Sequence, residues 1–191
     1  MDAELRRHFR IDDQTTMRAF CKEDAEAIYA CVIRNRDHLS PFMHWMTPDY
    51  SFESARRFVD EGRRAVAERA GLSLGIFRAG EFVGSAALVY IDHISRKTEI
   101  GYWIDRMYEG RGLVSAACCV LIEYAFGELE MNRVEIRCAT ENVRSSAIPE
   151  RLGFTLEGVL RQVEMRGGRL HDFAIYGLLA DEWHSRRNRI L

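Results

Sequence analysis

Residues 114–126 constrain the fold most strongly, because they are apolar on nearly every side of a helix. This stretch contains one charged residue, Glu123. It is too short to span a membrane, which takes about 18–20 apolar residues. Other elements must therefore cover it, and we expect residues 114–126 to form a helix packed into the interior.

Strands lie on both sides of this helix along the chain. The turn 79–81 joins two β-rich runs, which is typical of a hairpin. The expected strands are 72–78, 82–91, 97–104, 133–139, 154–165 and 170–179, with a further extended piece over 9–11 and 16–20. The other expected helices are 22–35, 51–70 and 145–152. We predict an α/β fold with a mixed central sheet of about seven strands and flanking helices, in a single domain over residues 1–191.

Composition and charge exclude several classes of protein. With 47% hydrophobic and 29% charged residues, the chain can form a core and is not of a disordered type. The formal net charge is −2 with mixed signs, which predicts no nucleic-acid partner. Five cysteines without a C-x-x-C pair predict reduced thiols and no metal site. Residues 1–7 lack the apolar core of a secretory signal, so we expect a cytoplasmic protein without a membrane partner.

The segment 103–115 carries the clearest functional pattern. A strand ends there, a turn bracketed by Gly110 and Gly112 follows, and the apolar helix begins. Backbone N–H groups and the positive end of the helix converge at such a point and favour an anion. The two glycines would let the backbone approach a pyrophosphate closely. A lone G-x-G pair is also typical of an ordinary turn, and neither a Rossmann nor a Walker pattern is present.

Three ordered elements carry a family resemblance. The first is the aromatic strand 99–104 (EIGYWI) followed by the loop 107–112 (MYEGRG), and the second is Asn142-x-x-Ser145 with Gly-Phe eight residues later. The third is the segment 167–172 (GGRLHD) before the last strand. Together they resemble the GCN5-related N-acetyltransferase (GNAT) superfamily, and more closely its RimJ/RimL branch of ribosomal-protein N-terminal acetyltransferases. Met107 departs from the family loop pattern Gln/Arg-x-x-Gly-x-Gly/Ala.

The resemblance implies a GNAT fold with an acetyl-coenzyme A site. In that fold two parallel strands splay apart, and here they would end near Ile104 and Ala139. Acetyl-CoA would bind in the wedge between them, with its pyrophosphate on backbone N–H groups of the loop. The residues implied to contact the coenzyme are Trp103, Ile104, Met107, Gly110, Arg111, Gly112, Leu113, Val114, Ser115 and Asn142.

The resemblance also implies catalytic groups for direct transfer to an amine. Such a transfer needs a neutral amine and a proton for the departing thiolate. The branch places a base at Glu164, although a solvated strand carboxylate paired with Arg166 would look the same in sequence. Glu99 is the rival, because other branches use a Glu on the equivalent strand. Ser145 matches the serine that protonates the thiolate, and either Ser145 or Asn142 could instead cap the short helix.

The acceptor site is implied in the aromatic, proline-broken segment 38–48. His44 and Trp45 fall where the RimL-like branch carries a Trp beside the acceptor, and core packing is the alternative for Trp45. We therefore expect an acetyl-CoA-dependent N-acetyltransferase that acts on a protein N-terminal α-amine, as on a ribosomal protein. Transfer to a small amine, such as a polyamine, amino acid or antibiotic, and a silent coenzyme-binding regulatory protein stay open. The expected partners are coenzyme A, the acceptor and a second copy of the chain, since the branch often forms dimers.

Overall fold

One eight-stranded mixed sheet organises the protein in a computed structural model that describes residues 4–166 and 168–190. Residues 1–3 of the N-terminal segment and Gly167 of the third family element lie outside the described residues. The strands are β1 (His8–Arg10), β2 (Thr15–Ala19), β3 (Leu72–Arg78), β4 (Glu81–Asp92), β5 (Lys97–Ile104), β6 (Arg133–Ala139), β7 (Thr155–Arg166) and β8 (Arg169–Leu179). The helices are α1 (Asp24–Arg34), α2 (Arg36–Leu39), α3 (Phe52–Ala67), α4 (Leu113–Gly127), α5 (Val143–Leu152) and α6 (Ala180–Ile190), with a 3₁₀ turn over Arg106–Tyr108.

The strand order is β1-β2-β3-β4-β5-β6-β8-β7, and every neighbouring pair is antiparallel except β5 and β6. The mixed α/β sheet predicted from the sequence is confirmed. It has eight strands rather than about seven, because the extended piece near the N-terminus folds as a hairpin that pairs Phe9 with Met17.

The parallel pair is splayed. Its ladder joins Lys97–Glu99 to Arg133–Glu135. Beyond these three pairs the described strands have no further ladder pairing with each other, so a wedge opens toward Ile104 and Ala139. This is the splayed parallel pair that the family resemblance implies.

The two faces of the sheet carry separate cores. On one face α4 packs against β4, β5 and β6, and its Leu121 and Ile122 are fully buried. Burial of each such side chain stabilises the fold by roughly 1.5–3 kcal/mol. On the other face α1 and α3 enclose an aromatic cluster that includes Phe82 and Trp103. The interior helix expected over 114–126 is thus confirmed, and it begins at the mouth of the wedge.

Strand β7 departs from a regular alternation. Such an alternation predicts that Leu160, Gln162, Glu164 and Arg166 share one face. In the structure Leu160 pairs with Phe173 and Glu164 pairs with His171, so β7 has three intervening residues where β8 has one. Gln162 takes a left-handed backbone with φ +50°, and its N–H donates to Asp172 Oδ1 at 2.8 Å. The bulge contains two extra residues. Because this number is even, the side chain of Glu164 points to the same face of the sheet as that of Leu160.

Two helices near the C-terminal half also differ from the sequence prediction. Helix α5 begins at Val143 rather than Ser145, and Pro149 lies inside it. Helix α6 was not expected at all. Within the described part of the chain, no helix combines the length and apolarity that a bilayer crossing requires.

Candidate active site

Four neighbouring cavities lie along and beside the wedge between β5 and β6. We call them the cradle (about 450 Å³), the channel (about 360 Å³), the carboxylate cavity (about 380 Å³) and the aromatic cavity (about 540 Å³). The cradle and channel share Val114, and the channel and carboxylate cavity share Tyr102 and Ser145. Trp45 lines both the carboxylate cavity and the aromatic cavity. Neighbouring cavities therefore share walls, and we call this row of adjoining cavities, from the glycine loop to the segment 38–50, the passage.

Backbone geometry forms the cradle. Gly110 and Gly112 have φ values of +70° and +75°, which side chains rarely adopt, and a Cβ on either would meet no atom within 4 Å. Gly112 is also the N-cap of α4, where the first N–H groups have no partner inside the helix. These donors, the helix dipole and the open space beside both glycines suit a pyrophosphate.

A buried carboxylate anchors the cradle loop. Asp105 is almost fully buried, and it accepts hydrogen bonds from the Met107 N–H at 2.9 Å and from Arg34 Nε at 2.7 Å. Burial alone would raise the pKa of Asp105, but these two donors outweigh it and hold the pKa below its usual range. The ion pair connects α1 to the loop and fixes where the cradle begins.

A second ionic cluster lies between the cradle and the channel. Glu109 Oε1 lies 3.1 Å from His38 Nε2, and Glu109 also accepts a hydrogen bond from Arg144 of α5. Arg111 stacks over the ring of Tyr108, 5.0 Å from its centroid. Side chains from α2, the loop and α5 therefore meet across the entrance to the channel.

Ser145 lies in the channel within a small hydrogen-bond network. Asn142 Oδ1 accepts from the Ser145 N–H at 3.1 Å, so the cap of α5 is Asn142. Pro149 has no N–H for the Ser145 carbonyl, and the Tyr102 hydroxyl donates to that carbonyl at 3.0 Å instead. Ser145 Oγ then donates to Tyr102 Oη at 3.2 Å and lies 3.2 Å from Cys138 Sγ. Burial raises the pKa of Tyr102 well above its usual range, so the phenol stays protonated.

Both candidate bases line the carboxylate cavity, in different environments. Glu164 accepts from Arg166 Nε at 3.0 Å, and its Oε1 lies 3.8 Å from Arg137 Nη2. Among the described residues, no hydrogen bond or ion pair reaches the Glu99 carboxylate. Burial raises the pKa of Glu99, Arg137 opposes this, and the carboxylates of Glu135 and Glu164 add to it.

The aromatic side chains of the segment 38–50 form the far wall. Trp45 lies 5.8 Å from Trp103 and 5.9 Å from Tyr50 between ring centroids. Trp45 is only partly buried and packs against the aromatic core while lining two cavities. His44 lines the same two cavities. Trp45 thus both packs against the core and lines the cavities.

Residues 14–155 match the sequence profile of the family described as an acetyltransferase (GNAT) domain. The chain belongs to the GNAT acetyltransferase family. The resemblance predicted from the three sequence elements is confirmed, and the protein is an N-acetyltransferase.

Similar proteins have comparable length and fold. YdaF of Bacillus subtilis (strain 168), assigned as a ribosomal N-acetyltransferase, is 36% identical over 93% of this chain and 98% of its own. The ribosomal-protein-serine acetyltransferase of Escherichia coli (strain K12) is 27% identical over 90% of this chain and 96% of its own. The structure of RimL, an α-N-acetyltransferase of ribosomal L7/L12, in complex with coenzyme A has a TM-score of 0.87 at 26% identity. The match covers 92% of this chain and 99% of that one.

The GNAT acetyltransferase brings most of the expected site residues to the passage. Those that line at least one cavity are Glu99, Trp103, Ile104, Gly110, Gly112, Leu113, Val114, Ser115, Asn142, Ser145, Glu164, His44 and Trp45. Met107 is 71% exposed, and neither it nor Arg111 lines any of these four cavities. Only the backbone at Met107 takes part in the loop hydrogen bonds described above.

Sequence reasoning missed several residues of the site. Tyr102 of β5, Arg137 of β6 and Arg166 of β7 line the carboxylate cavity, and Asp105 follows the end of β5 and anchors the cradle loop. The charge of Arg137 was a usable signal, because a charged residue on the face of a central strand needs a partner. Among the described residues, no group of three or more His, Cys, Asp or Glu side chains is arranged to hold a metal ion.

Proposed function

We propose that this GNAT acetyltransferase moves the acetyl group of acetyl-CoA directly to the α-amine of a protein N-terminus. The observation that carries the proposal is the order of the adjoining cavities, which runs from an anion cradle past the splayed strands to two carboxylates and then to a larger aromatic cavity. RimL is an α-N-acetyltransferase of ribosomal L7/L12 and the Escherichia coli relative is a ribosomal-protein-serine acetyltransferase, which supports a protein acceptor here. We propose the cytoplasm as the place of action.

The residues of the passage fit a coenzyme with a pyrophosphate at one end and a thioester at the other. The backbone N–H groups at Gly110–Ser115 would hold the pyrophosphate, since no Cβ blocks the approach. Trp103, Ile104 and Asn142 would line the path of the pantetheine arm between β5 and β6. Acetyl-CoA supplies the activated acetyl group, and the chain supplies orientation and proton transfer.

We propose Glu164 as the residue that takes the proton of the acceptor amine. An α-amine has a pKa of about 7.7–8.0 and is partly neutral at physiological pH, so one carboxylate is enough. The hydrogen bond from Arg166 holds the Glu164 carboxylate in place. Glu99 is the competing base, and the specific observation in its favour is its raised pKa together with the lack of any ion pair to it within the described part of the chain.

We propose Ser145 as the proton donor to the departing thiolate. Since Asn142 provides the cap, Ser145→Ala is expected to leave the free energy of unfolding nearly unchanged, whereas Asn142→Ala should cost about 0.5–2 kcal/mol. A thiolate whose pKa is about 8.5 needs its proton less as pH rises. Turnover of Ser145→Ala should therefore fall most at neutral pH and partly recover in alkaline buffer. A destabilised variant with an unchanged pH profile would refute this role.

A screen of acceptors tests the function as a whole. Acetyl transfer is measured as thiol release with peptides that vary at the N-terminus, with polyamines, with free amino acids and with aminoglycosides. We expect peptides to be the preferred acceptors. Preference for a free amine would show that the acceptor is a small amine rather than a protein N-terminus. Coenzyme binding without any transfer would indicate a regulatory protein that binds the coenzyme but does not catalyse transfer.

We also propose that two copies of the chain associate through the outer strand β7. The ladder places Leu156, Val159, Met165 and Leu170 on one face of the β7–β8 hairpin at the edge of the sheet, and all four are exposed. An edge strand with exposed apolar side chains is a surface that proteins usually cover.

Light scattering after gel filtration checks this association. We expect a dimer for the natural chain and a monomer for Val159→Glu combined with Leu170→Glu. Ile94→Glu is the matched control, because Ile94 is exposed on a loop far from β7 in the strand order. A monomeric natural chain at tens of micromolar would contradict the proposal.

A further inference from the structure

Arg137 is the less satisfied of the two guanidinium groups in the carboxylate cavity. It projects from β6 and is 29% exposed, yet its guanidinium makes no hydrogen bond to any described residue. Its Nε is fully buried without an acceptor. Its contacts are a loose approach to Glu164, at 3.8 Å, and the ring of Phe173, whose centroid is 6.0 Å away.

The neighbouring Arg166 shows what a satisfied guanidinium looks like in this cavity. Arg166 donates to Glu164 from Nε and Nη2, and to the Phe42 carbonyl from Nη1. A guanidinium carries five N–H donors, and burying them without acceptors is unfavourable. All of the Arg137 donors therefore lack an acceptor among the described residues, whereas three of the five Arg166 donors already have one.

The charges of the cavity argue against a polycationic acceptor. Its carboxylates are Glu99 and Glu164, and its guanidinium groups are Arg137 and Arg166. The two negative and two positive charges balance. A polyamine would find no surplus of negative charge here, whereas a group that offers both an amine and a hydrogen-bond acceptor would match the cavity.

We infer that Arg137 binds the carbonyl oxygen of the first residue of the acceptor peptide. This inference rests on the proposed function. Within one residue, the α-nitrogen and the carbonyl oxygen lie roughly 3 Å apart. Glu164 Oε1 and Arg137 Nη2 are 3.8 Å apart, so an acceptor residue that lies alongside this pair can contact both groups at once. Glu164 then faces the amine while Arg137 donates to the carbonyl. Arg137 thus selects an α-amino amide over an alkyl amine, because the latter leaves its donors unpaired.

A pair of matched acceptors tests this selection. One is the dipeptide Ala-Ala amide, and the other is its isostere in which CH=CH replaces the first amide, so that the amine is kept and the carbonyl is lost. Rates are expressed per neutral amine, with acetyl-CoA saturating. In Arg137→Lys we expect kcat/KM to fall about 10- to 150-fold for the dipeptide, the loss expected for a charged hydrogen bond, and to stay near the natural value for the isostere.

Controls separate this role from a structural one. Arg133→Lys lies on the same strand and face, where Arg133 is bonded to Glu135 and Glu157, and it should leave the ratio of the two acceptors unchanged. Melting temperatures with and without acetyl-CoA should match the natural chain for Arg137→Lys.

Each other outcome overturns the inference in a distinguishable way. An equal loss on both acceptors would mean that Arg137 acts on the carboxylates or on the thioester. A natural enzyme that uses the isostere as well as the dipeptide would remove the inference and leave the proposed function intact. Failure of the natural enzyme with every amine would remove both.

Discussion

Glu164→Gln is expected to lower turnover about 10²- to 10⁴-fold while the affinity for acetyl-CoA stays near its natural value. The change removes the proton acceptor but keeps the size of the side chain at a position that lies beyond the coenzyme channel, in the carboxylate cavity. Thiol release under saturating peptide gives turnover, and the coenzyme-dependent shift in melting temperature reports affinity.

Glu99→Gln is the matched control, since both carboxylates line the same cavity. We expect it to lower turnover less than Glu164→Gln, and the reverse order would transfer the role of base to Glu99. Because burial raises the pKa of Glu99, its ionisation disfavours the folded state as pH rises through that raised value. Glu99→Gln should therefore be more stable than the natural chain at pH 7, with the difference vanishing below about pH 4, where both side chains are neutral.

Gly110→Val or Gly112→Val is expected to abolish stabilisation by acetyl-CoA. At 100 times its dissociation constant, the coenzyme should stabilise the natural protein by about 2.7 kcal/mol. A branched side chain at either position would occupy the open space of the cradle and force a φ value that β-branched residues avoid. Thermal melts with millimolar acetyl-CoA measure the effect.

Gly80→Val separates obstruction from backbone strain. Gly80 has φ +83° in the β3–β4 turn, and a Cβ there also meets nothing within 4 Å. Gly80→Val should lower the melting temperature through the same kind of backbone strain. Acetyl-CoA should still raise the melting temperature of this variant as much as it raises that of the natural chain. A full response in both cradle variants would refute coenzyme binding at the loop.

Local patterns account for most of the fold. The strand β6 and the hairpin β3–β4 were predicted within one residue at each end, because turns and β-rich runs mark their limits. The sequence did not predict that β1 and β2 form a hairpin, since the turn over 11–14 contains neither Gly nor Pro. Helix α6 was missed because it has few apolar residues to form a stripe.

The site was less accessible to sequence reasoning, because its contacts join distant segments. Tyr102 and Ser145 are 43 residues apart in the chain, so no local sequence pattern predicts the hydrogen bond between them. The Tyr102 hydroxyl also donates to the Ser145 carbonyl, which is left free because Pro149 has no N–H. Arg137 and Glu164 meet only because the β6–β8–β7 order folds the last hairpin back beside the wedge.

The two-residue bulge in β7 sets a parity rule for insertions and deletions. Successive strand residues point to opposite faces, so removing one residue from 161–163 would turn Glu164 away from the carboxylate cavity. Removing two would restore a regular ladder and leave Glu164 facing inward. We therefore expect homologous chains that keep a carboxylate at the position of Glu164 to differ in the length of the segment 161–163 only by an even number of residues.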